Sequence, residues 1–260
     1  MLMLAAACGG GAGSPSTPTS PPAAPTVPVA GACAAIGETV SGSTAIVNGA
    51  ECSPASSPIV LLNLKDSAGF QAGSCTGTVI APRAILTAAH CLPASTASIL
   101  VFPGTGPQQT AASFAPHPSW REANSTAFDV GIVFMPADIG RPPSPLLLSR
   151  DGRTGETAVI TGWGKDATGL LATLRAGVAT LTAVTPLTLQ TSFTNTASSV
   201  CQGDSGGPIL LQEGGVWAVA GVISANSTLF CSFGNNFYAN LRHPEISAFI
   251  LGRVPEAGRR

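Results

Sequence analysis

From about Ile46 onward the apolar residues come in short runs: PIVLLNL (58–64), SILVF (98–102), DVGIVFM (129–135), TAVITGW (157–163) and VWAVAGVIS (216–224). Each has the length of a strand and is bounded by turn-forming Gly, Pro, Asn, Asp or Ser, while sustained helical periodicity is scarce. The exception is HPEISAFILGRV near the end, where a proline stands at a helix start and the apolar residues then follow helical spacing. The segment MPADIGRPPSPLLLSRDG (135–152) reads as a connection between two β-rich halves. Many short strands with one late helix predict an all-β chain of barrels or sandwiches.

Residues 9–32 are rich in Gly, Ser, Pro and Thr and are expected to form a disordered linker. Before them, MLMLAAAC resembles the end of a bacterial lipoprotein signal, in which Cys8 would be lipidated; a shortened secretory signal is the other reading. No other apolar run approaches the roughly 20 residues of a membrane helix, so any membrane anchoring is expected through Cys8 alone. Charged residues make up 10% of the chain, the net charge is −1, and Lys65 and Lys165 are the only lysines. Such a chain cannot neutralise a row of phosphates, which argues against nucleic acid as a partner. The seven cysteines form no CxxC pair and no zinc-like spacing with histidine, so no metal or other cofactor is expected. Three disulfides in an oxidising compartment, with Cys8 left over, is the better reading.

Three side chains carry chemistry. Ser205 lies in GDSGGP, where glycines present it on a turn, either as a structural turn residue or as a nucleophile. His90 follows an apolar run in LTAAHC. Asp129 stands in FDVGIV, where a carboxylate within a strand loses solvation unless it is paired or hydrogen-bonded, most naturally to an imidazole N–H. Together they supply a nucleophile, a base and a group that orients the base. His117 and His243 each precede a proline and are expected to be structural.

With IVNG (46–49), LTAAHC (86–91), FDVGIV (128–133), TGWG (161–164) and GDSGGP (203–208) in this order, the chain resembles the trypsin/chymotrypsin-like serine peptidase family over residues 46–252. The resemblance implies two six-stranded Greek-key β-barrels with a C-terminal helix and an active site between the barrels. The domain reading is a signal or lipoprotein-type segment (1–8), a disordered linker and propeptide (9–45) and a peptidase domain (46–260). Within that domain the barrels are expected at about 46–140 and 150–242, and the helix at about 243–254. By the same resemblance Ser205 is the nucleophile, His90 the base and Asp129 the orienting acid, with the N–H groups of Gly203 and Ser205 as the oxyanion hole. Asp204 would pair with a new α-amino group on Ile46 after cleavage of Ala45–Ile46. Disulfides Cys75–Cys91 and Cys201–Cys231 follow from the family, which leaves Cys33 and Cys52 to pair across the activation site.

Specificity follows from the same alignment. Ser199 stands where members with basic specificity carry an aspartate, so a buried Lys or Arg of the substrate would be unpaired. With Ser224 supporting the triad acid, Asn226 is expected on one pocket wall and Asn236 on the facing wall. The two would narrow the pocket and favour small uncharged residues before the cut. Ala45 fits that preference, which opens self-activation as a possibility. The segment 222–226 is expected to pair with the substrate backbone as an added antiparallel strand, and Ala225 replaces the tryptophan usual there. One acid, Glu122, lies between Cys91 and Asp129, too few for the calcium loop of some relatives. The expected molecule is a monomeric serine endopeptidase, secreted or held at the cell surface and acting on proteins or peptides. The alternative is a catalytically idle peptidase fold serving as a binding or adhesion module.

Overall fold

Alternation of side chains fixes which face of each strand turns inward. In SILVF (98–102) and TLQTS (188–192), buried and half-buried residues alternate, whereas IVLLNL (59–64) is buried throughout because its strand has neighbours on both edges and packing on both faces. The computed structural model describes residues 29–42, 48–165, 173–193, 197–228 and 231–260. A short helix α1 (Val29–Ala34) and strand β1 (Val40–Gly42) lead to β2 (Ala50–Cys52). The first half carries β3 (Ile59–Lys65), β4 (Gln71–Ala81), β5 (Ala84–Thr87), β6 (Ser98–Phe102), β7 (Gln109–Thr110), β8 (Ser113–Pro116) and β9 (Gly131–Phe134). The second carries β10 (Thr157–Gly162), β11 (Arg175–Val184), β12 (Thr188–Ser192), β13 (Pro208–Glu213), β14 (Val216–Asn226) and β15 (Asn235–Asn240), followed by α2 (Pro244–Arg253).

The second half closes as a six-stranded antiparallel barrel, β11-β10-β13-β14-β15-β12, with β12 returning to β11 and β1–β2 appended to β11. The first half is a seven-stranded antiparallel sheet in the order β7-β6-β3-β4-β5-β9-β8. It curls towards closure because residues 109–116 serve both of its edges. The Ala111 N–H donates to Ile99 of β6, and the next N–H, of Ala112, to Phe134 of β9. The second half is thus the expected six-stranded barrel, while the first is a seven-stranded half-barrel whose edge strands do not pair; the irregular connection predicted at 135–152 joins them. Ile160, Leu181, Ile209 and Tyr238 fill the second barrel, and Ile59, Leu62, Ile85 and Ile132 belong to the core of the first.

Helix α2 starts at Pro244, carries Glu245 in its first turn and Arg253 in its last, and buries Ile246, Phe249 and Ile250 at helical spacing. The expectation of a disordered tract through 9–45 fails for residues 29–42. Ala32, Cys33 and Ile36 are buried, α1 packs against β11, and the Glu38 carboxylate accepts the Ser56 N–H. The linker reading weighed composition alone; the covalent anchor at Cys33 and three buried side chains give this piece a place in the core. The remaining residues of that tract, and Cys8, lie outside the described residues.

Candidate active site

Asp129 does not stand within a strand, as its apolar neighbours led us to expect, but two residues before β9. Phe128, which precedes it, has a left-handed backbone (φ 57°) and packs on His117 and His243, with ring centroids 5.2 and 5.1 Å apart. The kink turns the Asp129 side chain inward, and the residue is fully buried. Three hydrogen bonds offset its lost hydration. Oδ1 accepts the backbone N–H of His90 (2.9 Å), while Oδ2 lies 2.7 Å from His90 Nδ1 and accepts the Ser224 hydroxyl at 2.6 Å. His90 sits on a single 3₁₀ turn, Ala89–Cys91, at the end of β5, with its side chain 29% exposed. Its ring is therefore held on one side by a carboxylate and open on the other. His117 is buried between Phe128 and Phe249, and burial lowers its pKa, which fits the structural role expected for it. His243 precedes α2 and packs edge-on against Phe128.

Ser205 stands on the 201–207 turn between the barrels. Its carbonyl accepts the N–H of Thr76 (2.8 Å) on β4. Among the described residues no hydrogen bond joins the Ser205 hydroxyl to His90, and the N–H groups of Gly203 and Ser205 donate to no protein acceptor. Gly203 has φ 97° and Gly206 has φ 85°. A Cβ at Gly206 would come within 2.3 Å of the Thr76 carbonyl oxygen, so no larger residue fits this turn. Thr76 is a residue the sequence did not single out. Its hydroxyl donates to the Gly203 carbonyl (2.8 Å) and accepts the Trp163 N–H (3.0 Å), tying the turn to both barrels.

Asp204 is also fully enclosed. Its Oδ1 accepts the Gly164 N–H and its Oδ2 the Cys201 N–H, each at 2.8 Å. Burial pushes its pKa up to about 6, against the opposing pull of these two bonds and of the Arg175 charge. Arg175, which was not foreseen either, is 1% exposed and donates to the Gly164 carbonyl at 2.8 Å. Gly164 thus bonds to the arginine with its carbonyl and to the aspartate with its N–H. No sequence signal marks Arg175, which begins the ordinary-looking strand RAGVATLTAV. Ala45 and Ile46 lie outside the described residues. Asn48, just beyond them, is tied to the same region, its side chain donating to the Ala197 carbonyl and its own carbonyl accepting from Ser198.

The structure joins Cys33 to Cys52, Cys75 to Cys91 and Cys201 to Cys231, with Cα atoms 5.4, 6.2 and 5.0 Å apart. The sulfurs of Cys75 and Cys91 lie close to the His90 ring but are bonded to each other, so this cluster offers no thiolate to a metal.

A cavity of about 170 Å³ opens beside Ser205, lined in part by Gln202, Ser224, Ala225, Asn226 and Thr228. Asn226 is on its wall. Asn236 is not on the facing wall, and neither it nor Ser199 reaches the cavity surface; both are fully buried. Asn226 and Asn236 are cross-strand partners in β14 and β15, so their side chains meet: Asn226 Nδ2 donates to Asn236 Oδ1 at 2.8 Å. Ser199 donates to the same oxygen (3.2 Å), and Asn236 Nδ2 donates to Thr191 (3.2 Å). The polar character expected of the pocket is present, but one asparagine braces the other from behind.

Comparison with known proteins agrees with this geometry. The model of the family described as Trypsin matches residues 46–245. Human kallikrein-11 is 29% identical over 211 residues, 71% of this chain and 72% of that protein. Rat chymotrypsin-like elastase family member 1 is 25% identical over 215 residues, 72% of this chain and 81% of its own. A solved structure of HL collagenase superposes with a TM-score of 0.68 at 20% identity, over 80% of this chain and 98% of that one, a likeness of fold. The chain belongs to the trypsin family of serine proteases.

Proposed function

We propose that the chain is a secreted serine endopeptidase in which His90, Asp129 and Ser205 act as a triad. The Ser205 hydroxyl attacks the scissile carbonyl carbon while His90 Nε2 takes its proton. The tetrahedral oxyanion forms against the N–H groups of Gly203 and Ser205, and its collapse expels the amine, which receives the proton from His90. Water then repeats the sequence on the acyl-enzyme and frees Ser205. Two donors without acceptors among the described residues support the oxyanion role, each worth about 3–4 kcal/mol by the usual mutational measure. The observation that carries the reading is the fully buried Asp129 carboxylate, bonded twice to His90 and once to Ser224. Three hydrogen bonds offset the cost of burying it, and the one to His90 Nδ1 lets it orient the ring and stabilise the imidazolium formed in turnover.

Asn226 lines the cavity beside Ser205, and no carboxylate is among the described residues that line it, which supports small uncharged residues before the cut. Activation is by cleavage of Ala45–Ile46, whose new amino group pairs with Asp204. The Cys33–Cys52 bridge then keeps the N-terminal piece, with any lipid on Cys8, attached to the enzyme. The deciding experiment is labelling of the processed protein with a fluorophosphonate. Labelling that is lost in Ser205→Ala supports the hydrolase; no labelling of the wild type leaves a binding module as the better account.

A further inference from the structure

Gln202 lines two cavities. One is the pocket beside Ser205; the other, of about 290 Å³, is lined also by Gly203, Lys165 and residues 71–74 of β4. The first adjoins Ser224 and Asn226 on β14, the strand expected to take up residues before the cut. A peptide seated there, with its scissile carbonyl between Ser205 and Gly203, must send the residues after the cut into the second cavity. Strand β4 can receive them, since at residues 71–74 it pairs on one edge only, with β3, and β5 joins it only from Thr78. An open edge of this kind accepts an extended chain as an added strand.

The chemistry of this cavity is one-sided. Lys165 is the one charged residue among the described residues that line it; the rest are Gln71, Ala72, Gly73, Ser74, Gln202 and Gly203. No ion pair joins its ammonium group among the described residues. Lys65, the other lysine of the chain, stands opposite Gln71 in the β3–β4 register. Asp66, the acid next to Lys65, is committed to its own turn, where Oδ1 accepts the N–H groups of Ala68 and Phe70 at 2.9 Å each; Asp166, the acid next to Lys165, lies outside the described residues. The geometry points to Lys165 as a specificity-determining residue that selects substrates with an aspartate or glutamate in the first two positions after the cut. This rests on the peptidase reading above and adds a substrate class to it.

The test uses processed enzyme and internally quenched peptides with alanine before the cut and Glu, Ala or Lys at the two following positions. For the wild type, kcat/KM for the Glu peptide should exceed that for the Lys peptide by about threefold to tenfold, a range set by a half-exposed charge pair. The ratio should shrink in 0.5 M salt, fall to near one in Lys165→Gln and invert in Lys165→Glu. Because each ratio is taken within one preparation, any change in folded fraction cancels. A wild type that prefers the Lys peptide, or a Lys165→Gln variant that keeps the wild-type ratio, overturns the inference. Cleavage of all peptides without charge preference also defeats it but leaves the peptidase reading intact, whereas no cleavage at all defeats both.

Discussion

In the uncut chain the Asp204 carboxyl is a liability above its own pKa. It is completely buried, two backbone N–H groups and the Arg175 charge relieve it only in part, and its pKa rises from 3.8 to about 6. The folded chain therefore holds this proton over a pH range in which the unfolded chain has released it. The stabilisation is fully present below pH 3.8 and is lost as pH rises through about 6. At 1.36 kcal/mol per tenfold change in proton affinity, the loss totals about 3 kcal/mol. The measurement is urea unfolding of the uncut protein, held uncut by Ser205→Ala, between pH 4 and 7.5, beside the same protein carrying Asp204→Asn. Subtracting the two removes every other titrating group they share. The stability advantage of Asp over Asn should fall by about 2.5 kcal/mol across this range, most of that total. Processed protein should show the opposite slope, because a new ammonium at Ile46 favours the ionised carboxylate. An advantage that is flat or rises with pH in the uncut chain would refute the claim that this carboxyl lacks sufficient compensation before cleavage.

Ser224→Ala removes the 2.6 Å bond to Asp129, and a hydrogen bond to a charged group is worth about 1.5–3 kcal/mol; steady-state kinetics should show kcat reduced roughly 10- to 100-fold. Asn226→Gly deletes the side chain that Asn236 braces and should move preference before the cut towards larger apolar residues, read as the ratio of kcat/KM for matched Phe and Ala peptides. Thr76→Val keeps the shape but strands the Trp163 N–H and frees the Gly203 carbonyl; thermal unfolding should report a loss of about 1–3 kcal/mol, with lowered kcat. Replacing Cys33 and Cys52 by serine opens a bridge between residues 19 apart and should cost about 3 kcal/mol; in processed wild type, reduction should release the N-terminal piece on a gel.

Spacing along the chain was sufficient for much of this molecule. Strand-length apolar runs separated by turns set an all-β fold, proline and apolar spacing located α2, and five short motifs in order named His90, Asp129 and Ser205 before any distance was known. These features are legible because each is local, set by the preferences of neighbouring residues or by a motif of four to six positions. What the sequence could not carry was convergence. Thr76 and Arg175 lie far from Gly203 and Asp204 in the chain and look like ordinary strand residues; only the packing of one barrel on the other and the burial of a carboxylate give them their roles. Asn236 was expected to face the pocket and instead braces Asn226, because strand register decides which side chains meet. The piece at 29–42 was misread for the same reason: composition reports a segment's own tendency to order, while the disulfide and the apolar surface that receive it belong to the rest of the fold.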